Sequence, residues 1–330
     1  MQPVSQAVVQ ETETRRSKDW LKELFHTSLV AAALIVLMIV FSIFSPHFFS
    51  ASNFYHILQE VAVVGILTVG QAFVIITAGI DMAQGAVIGL TGVVAALLMS
   101  QHVSVWLAVL AGLGIGVLVG LVNGLLITVA GITPFIATLG TMSICTGAAL
   151  VTTSGQPVFG IPNSVSNFGS NGILGILPFT ALVMIVVAIV FHFVLNNTRF
   201  GRYTYAIGSN PLSARLSGLR IERHLIWVYI ISGVMSAIGG VVMIAWVNSA
   251  MPTAGNNYQL NSIASVVIGG GSLFGGEGTI WGSMIGALLM SVLSDGSQLL
   301  GVSSYWQSIL LGLVVVIAVF IDRFRRRSAV

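Results

Sequence analysis

Few side chains in this sequence could do chemistry, and four of them are acids within long apolar stretches. Asp81 lies between glycines in Gly-Ile-Asp-Met-Ala-Gln-Gly at 79–85, and the other three are Glu60, Glu277 and Asp295. An ionisable residue inside an apolar span is a functional candidate by default. An Asp at the start of a helix also caps exposed backbone N–H groups. We therefore expect Asp81 to cap a helix, with gating or coupling as the alternative, and Glu60 and Asp295 to lie near wetted helix ends.

A second candidate motif is the glycine-dense stretch Gly-Gly-Gly-Ser-Leu-Phe-Gly-Gly-Glu-Gly at 269–278. It lacks the Gly-Lys-Ser/Thr ending of a phosphate-binding loop, and Lys22 is the last lysine in the chain. We expect no ATP site in this chain. The six His residues show no i, i+4 pairing and Cys145 is the single cysteine, so the sequence supports no metal site, disulfide framework or catalytic group.

Neutral polar side chains within the apolar stretches either bond helix to helix or bind a polar solute. Taken together they favour a path for a neutral, hydroxyl-bearing molecule over a path for an ion. The candidate gating and path residues are Asp81, Gln84, Asn123, Thr138, Asn248, Gly271 and Ser272, with Gln71, Thr141 and Ser143 also inside predicted spans.

The elements that must position these residues are indicated by composition and charge. Hydrophobic residues make up 56% of the chain, charged residues 7%, and mean hydropathy is +0.98. The Lys and Arg residues form three clusters, at 15–22, 199–223 and 323–327. In multi-pass membrane proteins such clusters mark cytoplasmic segments. Because topology accounts for every basic residue, the pI near 9.3 does not indicate nucleic-acid binding.

Apolar windows predict an all-α polytopic membrane protein of about ten spans in contact with lipid. Six spans separate the first two clusters and four separate the last two, so both termini are expected in the cytoplasm. Eight spans, or ten with other boundaries, is the alternative. The expected parts are a tail at 1–27, a permease domain at 28–322 and a basic tail at 323–330. The predicted spans are 28–45, 58–78, 84–101, 104–130, 134–152, 173–195, 225–248, 259–273, 279–299 and 303–321.

Glycines recur every four residues at 112, 116, 120 and 124, and we interpret this stripe as a surface for close helix packing. The connection at 196–224 is the only long basic loop. It contains a short amphipathic segment, Leu212 to Leu216, with Arg215 expected to be exposed. Such a segment suits the docking of a soluble partner, and a basic loop that only sets topology is the alternative.

This loop resembles the coupling segment of ribose-type permeases of ATP-binding-cassette importers. The matching stretches are Thr-Arg-Phe-Gly-Arg at 198–202, Ala-Ile-Gly-Ser-Asn at 206–210 and Ala-Arg-Leu-Ser-Gly at 214–218. Further matches lie at 79–81, 134–140, 251–255, 270–276 and 300–307. Two departures are Met-Ala-Gln after Asp81, where the family has Leu-Ser-Val, and Ser-Asn-Pro at 209–211, where it has Gly-Asn-Glu.

The resemblance implies ten helices per subunit, an inverted-repeat fold, and two permease copies working on ATPase subunits that carry ATP and Mg²⁺. It also implies an extracytoplasmic sugar-binding protein that delivers a monosaccharide. The expected coupling residues are Gly208, Asn210, Pro211, Arg215, Ser217 and Gly218. The alternatives are an ion-coupled secondary transporter, which usually needs acids at the membrane midplane, and a passive channel. An intramembrane enzyme is disfavoured, because no nucleophile–base pair is present.

Overall fold

The computed structural model describes residues 28–173 and 175–327, and the chain there is built almost wholly from helices. The N-terminal basic cluster and the predicted tail at 1–27 lie outside the described residues. The helices are α1 (Ser28–Phe44), α2 (Ala51–Ile76), α3 (Gln84–Ser100), α4 (Val105–Thr128), α5 (Pro134–Thr153), α6 (Asn163–Ser170), α7 (Phe179–Asn197), α8 (Arg199–Ser209), α9 (Pro211–Leu216), α10 (Ile221–Val247), α11 (Tyr258–Ile268), α12 (Ile280–Leu299) and α13 (Ser304–Arg327).

A two-residue antiparallel pair, β1 (Gly172–Ile173) and β2 (Leu177–Pro178), precedes α7. The predicted span at 173–195 therefore began too early, because this hairpin occupies its first residues. The span predicted at 259–273 was too long, since α11 ends at Ile268 where three glycines follow. Conversely, α2 begins at Ala51 rather than 58, because Ser50 accepts a hydrogen bond from the Asn53 backbone N–H and caps the helix there.

Among the described residues, six helices are long and apolar enough to cross a membrane: α2, α4, α5, α7, α10 and α13. Apolar helices α1 and α3 are shorter. With 11 residues, α11 is about 16 Å long and covers roughly half of a 30 Å hydrocarbon layer. These findings establish a multi-helix membrane protein.

The centre of the molecule is α2, of which 94% of the most apolar window is buried. Helices α7, α10, α11 and α12 surround it. In α13, by contrast, the corresponding buried share is 6%. The core is therefore a helix enclosed by protein, and equally apolar helices lie on the periphery.

The glycine stripe of α4 packs directly on α10. A Cβ atom added at Gly116 would overlap the carbonyl oxygen of Gly233, and one added at Gly120 would overlap that of Tyr229. At Gly124 the added atom would lie 2.8 Å from the Cα of Ile226. The prediction of close helix packing is confirmed, because any larger residue would push the two backbones apart.

Two irregular segments interrupt the helices. The first break, 77–83, follows α2 and doubles back, so that the Gln84 amide nitrogen lies 3.2 Å from the carbonyl oxygen of Leu67. Leu67 is more than two turns before the end of α2, and α3 therefore starts about 13 Å along α2 from that end. The second break, 269–279, joins α11 to α12. Both breaks are partly enclosed by helices, with Ala78, Phe274 and Glu277 exposed. Non-helical backbone is tolerated inside a membrane protein where neighbouring protein encloses it.

Candidate coupling segment and polar cavities

The predicted coupling segment forms two short helices, α8 and α9, with recognisable start and stop signals. Asn210 ends α8 and starts α9, and its side-chain oxygen accepts a hydrogen bond from the Ser213 backbone N–H at 2.9 Å. Pro211 occupies the first turn, where a missing N–H has no cost. The helix ends at Ser217, followed by Gly218 with φ of +83°. The short helix expected from Leu212 to Leu216 is thus α9.

The outer face of α9 is unpartnered within the described residues. The Leu212 and Leu216 side chains are 69% and 81% exposed, although both are aliphatic. Between them, Arg215 is exposed as expected and forms an ion pair with Glu222 at the start of α10. Two exposed leucines flanking an arginine form a small apolar patch, which we call the α9 face. This composition suits a protein partner rather than bulk water.

Gly208 is buried where α8 meets the end of α2 and the second break. A Cβ atom added there would overlap the carbonyl oxygen of Ile76, the last residue of α2, and would lie 2.7 Å from the Gly276 backbone nitrogen. The Tyr205 hydroxyl donates a hydrogen bond to the Gly278 carbonyl oxygen at 2.6 Å. Only glycine fits this contact, so α8 is held directly against the end of α2 and against the second break.

The second break is fastened by backbone contacts and by one acid. The Gly276 backbone N–H donates to the Ile76 carbonyl oxygen at 2.9 Å. Predicted path residue Ser272 is fully buried, and its hydroxyl donates to the Asp322 carboxylate at 3.1 Å. The same carboxylate oxygen accepts from the Leu273 backbone N–H at 3.2 Å. Gly271 closes the end of α11 through its N–H, which donates to the Val266 carbonyl oxygen.

Sequence reasoning missed Asp322, although a signal existed. It is an acid that directly precedes the C-terminal run of arginines, and its side chain is buried in the structure. Because Asp322 reaches Ser272 and Gly276 reaches Ile76, the end of α13, the second break and α8 lie at the same end of the molecule. We call this the basic end, since it carries the arginines at 199–223 and Arg323.

The first break is held by polar side chains. One Asp81 carboxylate oxygen accepts from the Ala83 backbone N–H at 2.9 Å, at the start of α3. The other accepts from the Ser232 hydroxyl of α10 at 2.6 Å. Gln84 donates to the Ser232 oxygen and accepts from the Ser262 hydroxyl of α11, at 2.9 and 2.7 Å. The expected helix cap is therefore wrong in detail, because Asp81 accepts from the N–H of Ala83, the residue before α3, and α3 has no side-chain cap. Asp81 and Gln84 together join three helices, α3, α10 and α11.

Other predicted path residues make internal hydrogen bonds. The Thr141 hydroxyl donates to the Asn123 side-chain oxygen at 2.7 Å, which joins α5 to α4. The Thr138 hydroxyl lies 3.2 Å from the Ile80 carbonyl oxygen in the first break, and 2.8 Å from that of Pro134 in its own helix. Asn248, placed inside a span by the sequence, instead follows the end of α10 with φ of +55° and is exposed.

Two cavities of about 590 Å³ each lie away from these residues. One, which we call the outer cavity, is formed by α2, 256–261, α12 and α13 at the end opposite the basic end. The other, the α3–α5 cavity, is lined by Ser143 and Thr146 of α5, Ala86 of α3 and Gln259 of α11. Among the described residues that line them, Ser143 is one of the neutral polar residues that the sequence suggested for a solute path. None of the seven candidate gating and path residues lines either cavity, and their role in transport stays a prediction.

The outer cavity also corrects one expectation. Glu60 was expected near a helix end. It lies instead in the third turn of α2, where it is partly buried, lines the outer cavity and hydrogen-bonds the Ser294 side chain of α12. Asp295 is on the same cavity wall and accepts from the Asn53 amide at 2.9 Å. In the described part of the chain, no group of three His, Cys, Asp or Glu residues is arranged to hold a metal ion.

Comparison with known proteins identifies the family. A family model described as "Branched-chain amino acid transport system / permease component" matches residues 53–319. The chain belongs to this family of transport permeases. It is 41% identical over 310 residues to the ribose import permease protein of Escherichia coli K12, covering 93% of this chain and 95% of that protein. No solved structure matches significantly.

Two further relatives are named for other sugars. The fructose import permease protein of Rhizobium meliloti is 39% identical over 325 residues, covering 94% of this chain and 89% of that protein. The D-allose transport system permease protein of Escherichia coli K12 is 36% identical over 292 residues, covering 88% and 89%. The resemblance to ribose-type permeases is therefore confirmed. The chain is a multi-pass permease component of the bacterial inner membrane, and so a transport subunit.

Proposed function

We propose that this chain is the membrane subunit of an ATP-binding-cassette importer that moves a monosaccharide into the cell. The observation that carries the substrate class is similarity over nearly the whole chain to permeases named for ribose, fructose and allose import. ATP and Mg²⁺ bind separate ATPase subunits. An extracytoplasmic binding protein delivers the sugar, and a second copy of the chain completes the path.

The proposed topology has ten spans with both termini in the cytoplasm. Its support is that α8, the second break and Asp322 lie together at the basic end. An even number of spans between the central and C-terminal basic clusters requires both clusters to be on the same side of the membrane. In this arrangement α11 and α3 begin at a similar depth, since both start part-way across the molecule. Accessibility labelling that placed Arg215 and Arg323 on opposite sides would contradict this topology.

The proposed coupling route begins at the α9 face, where the ATPase docks. Movement of α9 passes through α8 to Gly208, which touches the end of α2 and the second break at once. From α2 the movement reaches the first break, where Asp81 and Gln84 join α3, α10 and α11. The helices then rock and alternate access to the α3–α5 cavity. The exposed hydroxyl of Ser143 on that cavity supports a path completed by a second copy.

The experiment measures sugar uptake by proteoliposomes that contain the permease and its ATPase, with the binding protein on the extracytoplasmic side. Leu216→Asp should abolish uptake and stimulation of ATP hydrolysis, because it charges the apolar α9 face while exposing nothing new. Arg215→Glu should act in the same direction. Glu222→Gln is the matched control, since it breaks the Arg215 ion pair without altering the α9 face.

Normal uptake by Leu216→Asp would contradict the docking site. Uptake that a protonophore abolishes and vanadate does not would contradict ATP drive altogether and favour the ion-coupled alternative. Flux through liposomes that hold the permease alone would favour a channel. Uptake of L-leucine in place of the sugars would retain the ATP-driven permease and overturn the monosaccharide assignment.

A further inference from the structure

The outer cavity is a feature that the coupling route leaves unused. It opens at the end opposite the basic end, which is where a solute released outside the cell would arrive. Its volume of about 590 Å³ lies within the roughly 300–1,000 Å³ of pockets that enclose small molecules. The walls come from α2, α12, α13 and the segment before α11. Residues of α2 thus converge on one concave site with residues of the C-terminal third of the chain.

The walls combine acceptors with groups that both donate and accept. Glu60 of α2 and Asp295 of α12 provide carboxylate oxygens, and each is already positioned by a neighbour, Ser294 and Asn53 respectively. Asn261 also lines the cavity, and its carboxamide forms no hydrogen bond within the described residues. Its donor and acceptor capacity is therefore available to a ligand.

The lining also excludes several ligand classes. The residues around the cavity include no Lys or Arg, so a phosphate or carboxylate group would have no fixed counter-charge. No group of metal-ligating residues occurs in the described chain, which disfavours a metal ion. A polyol fits, since each hydroxyl donates to a carboxylate and accepts from an amide. Trp246 adds an aromatic surface, which suits the C–H face of a sugar ring.

The outer cavity is also connected in space to the proposed path. Asn256 and Asn257 line both the outer cavity and the α3–α5 cavity, so this short segment is the wall between them. On the far side of the wall, the α3–α5 cavity is lined by the exposed Ser143. A polyol that leaves the outer cavity past Asn256 therefore enters a second cavity with a hydroxyl in its lining.

We propose that the outer cavity is a binding site for a neutral monosaccharide within each permease subunit, occupied before the sugar passes the Asn256–Asn257 wall into the path. This inference rests on the proposed function for the sugar class, and it adds a site. Glu60 and Asn261 are its specificity-determining residues, because they present an acceptor and a mixed donor–acceptor to ring hydroxyls.

The test uses the full-length permease in lipid nanodiscs, without ATPase or binding protein, and saturation-transfer NMR with D-ribose, D-fructose, D-allose and L-leucine as probes. At least one sugar should give a saturable signal, and L-leucine none. Asn261→Ala should weaken that binding about fivefold, as expected for one lost hydrogen bond. Glu60→Gln, which keeps the side-chain size, should weaken it further. Gln101→Ala, an exposed amide beyond the end of α3, is the control and should leave binding unchanged.

Thermal unfolding of each variant shows that the fold is retained. Absence of a saturable sugar signal from the wild-type permease would overturn the site, and so would equal binding by Asn261→Ala, Glu60→Gln and wild type. A saturable L-leucine signal that Asn261→Ala removes would overturn the sugar class. Failure of the proposed function looks different: ATP-driven uptake is absent while the sugar still binds and the two variants still weaken it.

Discussion

The two breaks in the helices are stabilised by opposite means. The first, 77–83, is held by side chains: Asp81 and Gln84 bond two serines on α10 and α11. The second, 269–279, is held by backbone contacts that only glycines permit, together with its hydrogen bonds to Asp322 and Tyr205 outside it. A break fixed by side chains resists movement through hydrogen bonds, whereas one fixed by glycines resists it through steric fit. The coupling helix α8 touches the second and reaches the first only through the end of α2.

This difference predicts that steric changes act most strongly at the second break and polar changes at the first. Matched substitutions compare a steric change at Gly208 with polar changes at Ser232 and Asp322. A further test concerns the Arg215–Glu222 ion pair.

The largest expected effect is at Gly208. Gly208→Ala should lower the free energy of unfolding by about 3 kcal/mol, because the added methyl group overlaps the Ile76 carbonyl oxygen. Gly114→Ala is the control, since nothing lies within 4 Å of the added atom and the gain in helix propensity is about 0.5–1 kcal/mol. Unfolding titrations in detergent should therefore shift in opposite directions. Equal shifts would show that α8 is not tightly seated.

The next effect is at the first break. Ser232→Ala removes the hydroxyl that bonds both Asp81 and Gln84, and should cost about 2 kcal/mol. Ser236→Ala, one turn along the same helix, loses only a bond to the Ser232 carbonyl oxygen and should cost a few tenths of a kcal/mol. The same unfolding titration measures both. Similar values for the two serines would remove the distinction between the breaks.

A smaller effect is expected at Asp322. Asp322→Ala should cost about 1 kcal/mol, since two hydrogen bonds to the second break are lost. Asp322→Asn retains a carbonyl oxygen and should recover most of that loss. Hydrogen exchange of the backbone N–H of Leu273 reports the local change directly. Unchanged exchange in Asp322→Ala would mean that glycine packing alone holds this break.

The smallest effect concerns the ion pair beside the α9 face. Its Arg215 and Glu222 side chains are 63% and 48% exposed, so the pair should contribute less than about 0.5 kcal/mol to stability. A double-mutant cycle of Arg215→Ala and Glu222→Ala, repeated at high salt, measures that term. A coupling energy above 1 kcal/mol would place the pair among the structural contacts of the basic end.

The sequence predicted the parts of this structure that follow from local rules. The short helix expected from Leu212 to Leu216 and the packing role of the α4 glycines both follow from residues close together in the chain. The cavities could not be predicted in this way. Glu60 and Asp295 are far apart in sequence, and only the packing of α2 against α12 makes them neighbours.

The same reason explains the missed role of Asp322. Its partner Ser272 lies on a different break, and no spacing rule joins the two. Hydropathy likewise identified the apolar helices but not their surroundings. The central helix α2 and the peripheral helix α13 have similar hydropathy, 1.8 and 2.1, yet one is enclosed by protein and the other is exposed. The burial of a helix depends on which other helices pack against it, and its own hydropathy does not specify them.

The early start of α3 has an electrical consequence. Its first turn lies beside the segment that leads into α11, since a Cβ atom added at Gly85 would overlap the Gly255 carbonyl oxygen. Two helix amino termini, each with partial positive charge, therefore meet well inside the layer. The Asp81 carboxylate lies at this junction, where it accepts a hydrogen bond from the Ala83 backbone N–H. Partial positive charge at the two amino termini therefore favours a negative charge on Asp81 at a depth where an isolated carboxylate would be costly.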